Sequence, residues 1–151
     1  MAVAARAKVI SGSITLANTA VAADGAAFVL VVADDVARHG LRIIDGATVG
    51  GDVARPGLGP LAAMDRIGRD GVQMAEIMEA YAVQGMICAR GFDHVNVGVN
   101  VGGGALARGH AIGASGAVLA VRLFYELGAG RGMAAIAAAG GIGTAMLVER
   151  I

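Results

Sequence analysis

Tryptophan is absent from this 151-residue chain, and Phe, Tyr and Trp together make up 3% of it. A core of this chain must therefore be assembled from Ala, Val, Ile, Leu and Met, closely packed. Cysteine occurs once, as Cys88, which excludes an intramolecular disulfide and any Cys-rich zinc site. Charge of either sign is scarce: 12 Lys plus Arg balance 12 Asp plus Glu, so no basic surplus points to nucleic acid or an anionic membrane. Long hydrophobic runs are missing too. The longest uncharged stretch, Gly132 to Val148, is shorter than the ~20 residues of a membrane span and is broken by glycines. The residues before Arg6 are too few for a secretory signal, so the reading is cytoplasmic, with no membrane partner. What the chain has instead is apolar mass, 56% of residues with a mean hydropathy of +0.68, and glycine, 25 of 151 against a typical ~7%. The glycines fall in clusters without a G-X-Y period, which marks turns and close backbone approaches. The length suits one domain.

Periodicity predicts an α/β chain. Phe28 to Val32 is a continuous apolar, β-branched run, expected to be a buried strand. Asp34 and Asp35 suit the first turn of a helix that His39 and Gly40 would end. A strand is expected from Arg42 towards Val49, and a turn over Gly57 to Pro60. Pro60 fits the first position of a helix with Leu61, Met64 and Ile67 on one face and an Asp65–Arg69 pair on the other. A strand over Val72 to Ile77, a helix over Glu79 to Ala89 and a strand over Val95 to Val101 follow. The last elements are an apolar helix over Ala117 to Leu127 and two strands, Met133 to Ala139 and Thr144 to Val148, joined at Gly140 to Gly143. From Arg42 the order is βαβαβαββ, a mixed, mostly parallel sheet flanked by helices, with an antiparallel last strand. Residues 1–41 form an extra segment and 42–151 the domain.

Few residues in this pattern carry chemistry. Gly102 to Ala107 fits G-x-G-x-x-A after a strand, with Glu126 about 20 residues on, as in a dinucleotide site. Gly109 and Gly113 interrupt the helix such a motif should open, and Glu126 falls inside a helix pattern, so that reading is disfavoured. His110 stands between Gly109 and a helix starting near Ser115, where it could serve an oxyanion or move a proton; the plain alternative is a hydrogen-bonded loop histidine. Ser115 invites a Ser–His pairing, although a serine before a helix is usually a cap. Cys88 reads as an inert core thiol, and His39, His94 and Cys88 lack metal-ligand spacing, so no metal is expected.

From Ser13 onward the chain resembles the C-terminal part of a thiolase. Gly102-Gly-Gly-Ala-Leu-Ala-Arg-Gly-His-Ala-Ile-Gly-Ala-Ser-Gly116 is similar to the family's N-G-G-A-I-A-x-G-H-P-I-G-A-S-G, and Gly140-Gly-Ile-Gly-Thr-Ala-Met-Leu-Val-Glu-Arg150 to its closing G-G-x-G-x-A-M-x-x-E-R. Gly12 to Asn18 with Asp24-Gly-Ala26, Pro56 to Pro60, and Glu76-Ile-Met-Glu-Ala-Tyr-Ala82 match further blocks in the same order. The resemblance implies one of two facing βαβαβαββ halves, with Ser13 to Asp34 belonging to the other half. It implies that His110 is the histidine that activates a cysteine nucleophile and donates to the thioester oxygen. No residue here matches that cysteine, which the family carries in its N-terminal half. Met78 stands at the position of an asparagine that holds an oxyanion-site water, and Ala137 at that of a second, acid/base cysteine. Ala139, followed by Gly140, stands at an oxyanion loop. Ser13, Tyr81 and Gly109 are the substrate-binding candidates, Ser13 near the pantetheine.

Losing an oxyanion donor typically costs ~2.7–4 kcal/mol, and losing a base roughly 10²–10⁴-fold in rate. The implied protein is thus a subunit of an acyl-CoA acyltransferase, in fatty acid metabolism, whose nucleophile comes from a partner. The alternative is a non-catalytic thiolase-like scaffold or regulatory subunit. Coenzyme A thioester is the expected substrate, with no covalent cofactor. Partners would be an N-terminal-half chain or a second copy, because the Ala117 to Leu127 helix is apolar nearly all round and one sheet covers only one face.

Overall fold

The computed structural model describes residues 4–93 and 96–151. His94 and the first residue of the strand expected over Val95 to Val101 lie outside the described residues. Among the described residues, seven strands and four α-helices follow one another in the order of the chain. They are β1 (Val9–Ser11), β2 (Ile14–Thr15), β3 (Leu41–Gly50), α1 (Gly59–Ile67), β4 (Val72–Ile77), α2 (Ala82–Ala89), β5 (Gly98–Val99), α3 (Ala105–Arg108), α4 (Ser115–Glu126), β6 (Arg131–Ala138) and β7 (Ile142–Arg150). β1 and β2 form a small hairpin that sequence periodicity does not reveal.

The main sheet has the order β3-β7-β6-β4-β5. β4 pairs in parallel with β5 and β6, while β7 runs antiparallel to both β6 and β3. Only β7 therefore opposes the common direction, and the expected mixed α/β sheet is present. Strand alternation separates two apolar layers. Ala75, Ile77, Met133, Ala135, Ala145 and Leu147 face Ala63 and Met64 of α1 and Cys88 of α2. Met74, Ala134, Ile136, Met146 and Val148 face Leu119, Leu123 and Leu127 at α4. Among the described residues no helix is long and apolar enough to cross a membrane.

Glycine governs the closest approach in the fold. A Cβ on Gly59 would sit 2.8 Å from the Gly143 nitrogen, and one on Gly143 would overlap the Gly59 backbone. The start of α1 thus packs directly on the start of β7. Pro60 is the second residue of α1, not the first, and Gly68 at φ +77° ends the helix. The predicted Asp65–Arg69 pair is present.

Two expected elements do not form. Phe28 to Val32 is irregular and exposed rather than a buried strand, with Phe28 and Leu30 each 90% exposed. Among the described residues, no backbone group of residues 24–32 makes a hydrogen bond. A buried strand needs neighbours on both edges and both faces, and none of the described residues supplies them. The helix expected from Asp34 to His39 is only a turn over 34–36, where the Asp34 carboxylate accepts from the Arg42 guanidinium at 2.7 and 3.2 Å.

Other boundaries shift for local reasons. α2 begins at Ala82, since the Glu79 side chain is engaged elsewhere and Gln84 Oε1 accepts from the Ala80 N–H (2.9 Å). β5 is two residues long because Asn100 turns away at φ +47°. α4 is apolar on its inner face but leaves Phe124 and Tyr125 exposed, so it is not buried all round within this chain.

Candidate active site

In open α/β sheets, ligands gather beyond the carboxyl ends of parallel strands. Here the ends of β4, β5 and β6 lead to Met78, to the 100–110 loop and to Ala137 to Gly140. Met78 follows β4 directly; its N–H donates to the Ala135 carbonyl (2.9 Å), and its side chain is buried against Leu119, Leu123 and Val148. The position is occupied by core, not by a polar group facing a substrate.

His110 sits in the turn between α3 and α4, after Gly109 at φ +94°. Its Nδ1 lies 2.7 Å from Ser115 Oγ, and Ser115 Oγ donates to the Ala111 carbonyl at 3.0 Å. A hydroxyl has one proton. With that proton on the carbonyl, Ser115 accepts from Nδ1–H, and Nε2 keeps its lone pair. Ser115 is the first residue of α4 and makes no capping bond, so the cap reading of the sequence is corrected: its hydroxyl orients the histidine. Burial pushes the His110 imidazole below its usual pKa, which favours the neutral form a base requires.

The loop ahead of His110 rests on charged side chains. Asn100 Nδ2 donates to Glu79 Oε1 (2.7 Å) and to the Ile77 carbonyl (2.9 Å), while its Oδ1 accepts from the Ile77 N–H (2.7 Å). Glu79 Oε2 accepts from the Leu106 N–H (3.2 Å). A Cβ on Gly104 would overlap the Glu79 carboxylate, and one on Gly102 would overlap the Arg122 guanidinium and meet Glu126 Oε1 at 2.7 Å. The glycines thus make room for the chain's own side chains. α3 is one turn long, and Glu126 pairs with Arg122 (3.2 Å), which disposes of the dinucleotide reading. Beneath lies a pair that the sequence did not disclose: Arg122 Nε to Glu76 Oε2 at 2.8 Å, with Glu76 fully buried.

The remaining candidates divide. Tyr81 and His110 are both bridged by the segment 19–23, through Thr19–Tyr81 and Ala22–His110, and a Cβ on Gly109 would lie 2.6 Å from Ala23 Cβ. Ser13 lies in the exposed β1–β2 turn, where its carbonyl accepts from Asn18 Nδ2 (2.9 Å), and no described hydrogen bond ties it to the His110 loop. Ala137 is half-buried on β6 opposite Gly143, while Ala139 and Gly140 are exposed in the β6–β7 turn; no described hydrogen bond joins them to His110. Cys88 is buried, accepts from Gln84 Nε2 (3.3 Å), and burial raises its pKa, as an inert thiol requires. Among the described residues, no three His, Cys, Asp or Glu side chains are grouped to hold a metal. Glu79 and Asn100 are the site residues that sequence reading missed. Asn100 falls within the alternating pattern of Val95 to Val101, and no local signal marks either carboxamide or carboxylate as a loop anchor.

This sheet, its histidine loop and its glycine turns define the C-terminal domain of a thiolase. The chain matches the family described as thiolase, C-terminal domain, over residues 37–150, and it belongs to the thiolase family. It is 37% identical over 150 residues to VraB of Staphylococcus aureus and 38% identical over 154 residues to YhfS of Bacillus subtilis, both provisionally named acetyl-CoA C-acetyltransferases. Each match covers 92% of this chain but 40% and 42% of the relative, so the chain spans about two fifths of the length of these proteins. The crystal structure of Acat5 thiolase from Ascaris suum in complex with coenzyme A superposes with a TM-score of 0.79 at 27% identity, covering 95% of this chain and 41% of that one. The acetyl-CoA acetyltransferase of Bacillus anthracis gives a TM-score of 0.66 at 30% identity, over 74% of this chain and 30% of that one.

Proposed function

We propose that this chain is the histidine-bearing part of a thiolase-like acyl-CoA acyltransferase, and that its cysteine nucleophile comes from outside these 151 residues. The observation that carries the reading is the Ser115–His110 hydrogen bond, which leaves Nε2 free to take a proton. Nε2 accepts the proton of the incoming thiol. The thiolate attacks the thioester carbonyl, the carbon–sulfur bond breaks, and His110 returns the proton to the departing coenzyme A sulfur. Gly109, next to the histidine, Tyr81, bridged to the same 19–23 segment, and Ser13 are the candidates for holding the acyl-CoA; Ala139 and Gly140 are the backbone donors of an oxyanion loop. With Ala137 unable to move a proton, the reaction stops at acyl transfer and forms no carbon–carbon bond.

Two apolar surfaces support a complementary half. Phe28 to Val32 is an unpaired strand sequence, and Phe124 and Tyr125 leave the outer face of α4 bare. A second copy of this chain is the other candidate to cover them. The experiment assembles the chain with an N-terminal thiolase half bearing the cysteine and follows coenzyme A release from acetyl-CoA. His110→Ala is expected to lower release by roughly 10²–10⁴-fold. Release that His110→Ala leaves unchanged overturns the reading, as does a stable monomer of 14.9 kDa in light scattering at micromolar concentration. The burial of Met78 in the core favours a second reading, a non-catalytic scaffold; an assembled protein that binds acetyl-CoA and releases no coenzyme A is its signature.

A further inference from the structure

We propose that the segment Thr19–Ala23 is a positioning strap that holds His110 in the tautomer with a free Nε2. The His110 N–H donates to the Val21 carbonyl (2.8 Å), and the Ala23 N–H donates to the His110 carbonyl (3.2 Å). The peptide on each side of the imidazole is therefore fixed by the strap. Its other end is anchored where the Ala20 N–H donates to the Ala80 carbonyl (3.0 Å) and Thr19 bridges Tyr81. The strap lies directly on the histidine turn, since the Cβ positions of Gly109 and Gly25 are filled by Ala23 and Ala111.

The turn itself has little else to hold it. Gly109 and Gly113 bracket it, and its remaining backbone bonds are the local ones of the α3 end and of Ala111 to Ala114. The imidazole reaches Ser115 only if the His110 peptide keeps its orientation, because side-chain direction follows from the backbone. The strap runs on, without a single described backbone hydrogen bond, into the exposed Phe28 to Val32. Whatever covers that run also restrains the strap, and through it the histidine. The inference rests on the proposed function for the use of His110, not for its geometry.

Nitrogen-15 spectra of the imidazole, recorded on the full chain without substrate or partner, test it. The chain as it stands should show a protonated Nδ1 and an unprotonated Nε2 above the imidazole pKa, with a slowly exchanging His110 amide. Ala23→Pro removes the bond to the His110 carbonyl, and Ala20→Pro, farther from the turn, removes the anchor at Ala80. Both are expected to speed exchange of the His110 amide about tenfold and to convert the imidazole signals to an average of both tautomers, with the far-ultraviolet spectrum unchanged. Val21→Ala, which keeps the carbonyl, should change neither. The proposal is overturned if either proline variant folds, loses protection of the strap amides and still keeps the single tautomer. Failure of acyl transfer in the assembled protein leaves these spectra untouched, so the two readings fall separately.

Discussion

Ser115 Oγ sits between His110 Nδ1 (2.7 Å) and the Ala111 carbonyl (3.0 Å), accepting from the imidazole and donating to the carbonyl. Removing that hydroxyl frees the imidazole to turn and to change tautomer. Ser115→Ala should lower kcat/KM of the assembled enzyme by about 10- to 100-fold, the range seen for the outer hydrogen-bond partners of ligating histidines. Because Ser115 caps nothing, stability should fall by only about 1 kcal/mol in urea unfolding.

The pH dependence has a definite sign. Burial lowers the His110 pKa below the usual value of about 6.5. The folded state therefore binds fewer protons than the unfolded chain just below that value. The stability His110 contributes is complete above about pH 6.5 and declines as the pH falls through the depressed folded pKa. The base-limited arm of the rate profile should likewise have its midpoint below 6.5. Melting curves from pH 5 to 7.5 check the first statement, with His110→Gln expected to remove its share of the slope.

Among the described residues, Arg122 is the one hydrogen-bond partner of the buried Glu76 carboxylate, whose other oxygen, Oε1, has none. Arg122→Ala leaves an unpaired buried carboxylate and should cost about 3–5 kcal/mol. Desolvation already raises the Glu76 pKa against the pull of Arg122, and it will rise further in the variant. Replacing both residues by apolar ones, Glu76→Leu with Arg122→Met, should recover most of the loss. A double variant as unstable as Arg122→Ala would show that the cost lies elsewhere.

Gly59 and Gly143, at the α1–β7 contact, should behave differently from Gly140 in the β6–β7 turn. Gly143→Ala drives a methyl into the Gly59 backbone and should cost about 3 kcal/mol or more, with Gly59→Ala close behind. Gly140 has open space around it but a φ of +82°, so Gly140→Ala should cost only the backbone strain, about 1–2 kcal/mol. Urea midpoints rank the three.

Much of this was legible in the sequence because its cause is local. Pro60 with the Leu61, Met64 and Ile67 period, the apolar run of the Ala117 to Leu127 helix, the interruption at Gly109 and the glycines from Gly140 to Gly143 marked the elements, and the Gly109-His110 block marked the histidine. Composition had already set the kind of core. Only the tertiary structure decided the rest. Phe28 to Val32 reads as a buried strand yet lies exposed, because strand formation needs an edge to pair with and none of the described residues provides one. Ser115 reads as a cap yet orients His110, because a hydroxyl goes to the strongest partner within reach. Glu76, Glu79, Asn100 and Arg122 carry no sign in the chain of whom they pair with, 21 to 46 residues away, and acquire these partners only where the sheet and α4 bring them within 3 Å. Charge pairs across an interior obey distance in space, which periodicity along one element does not encode.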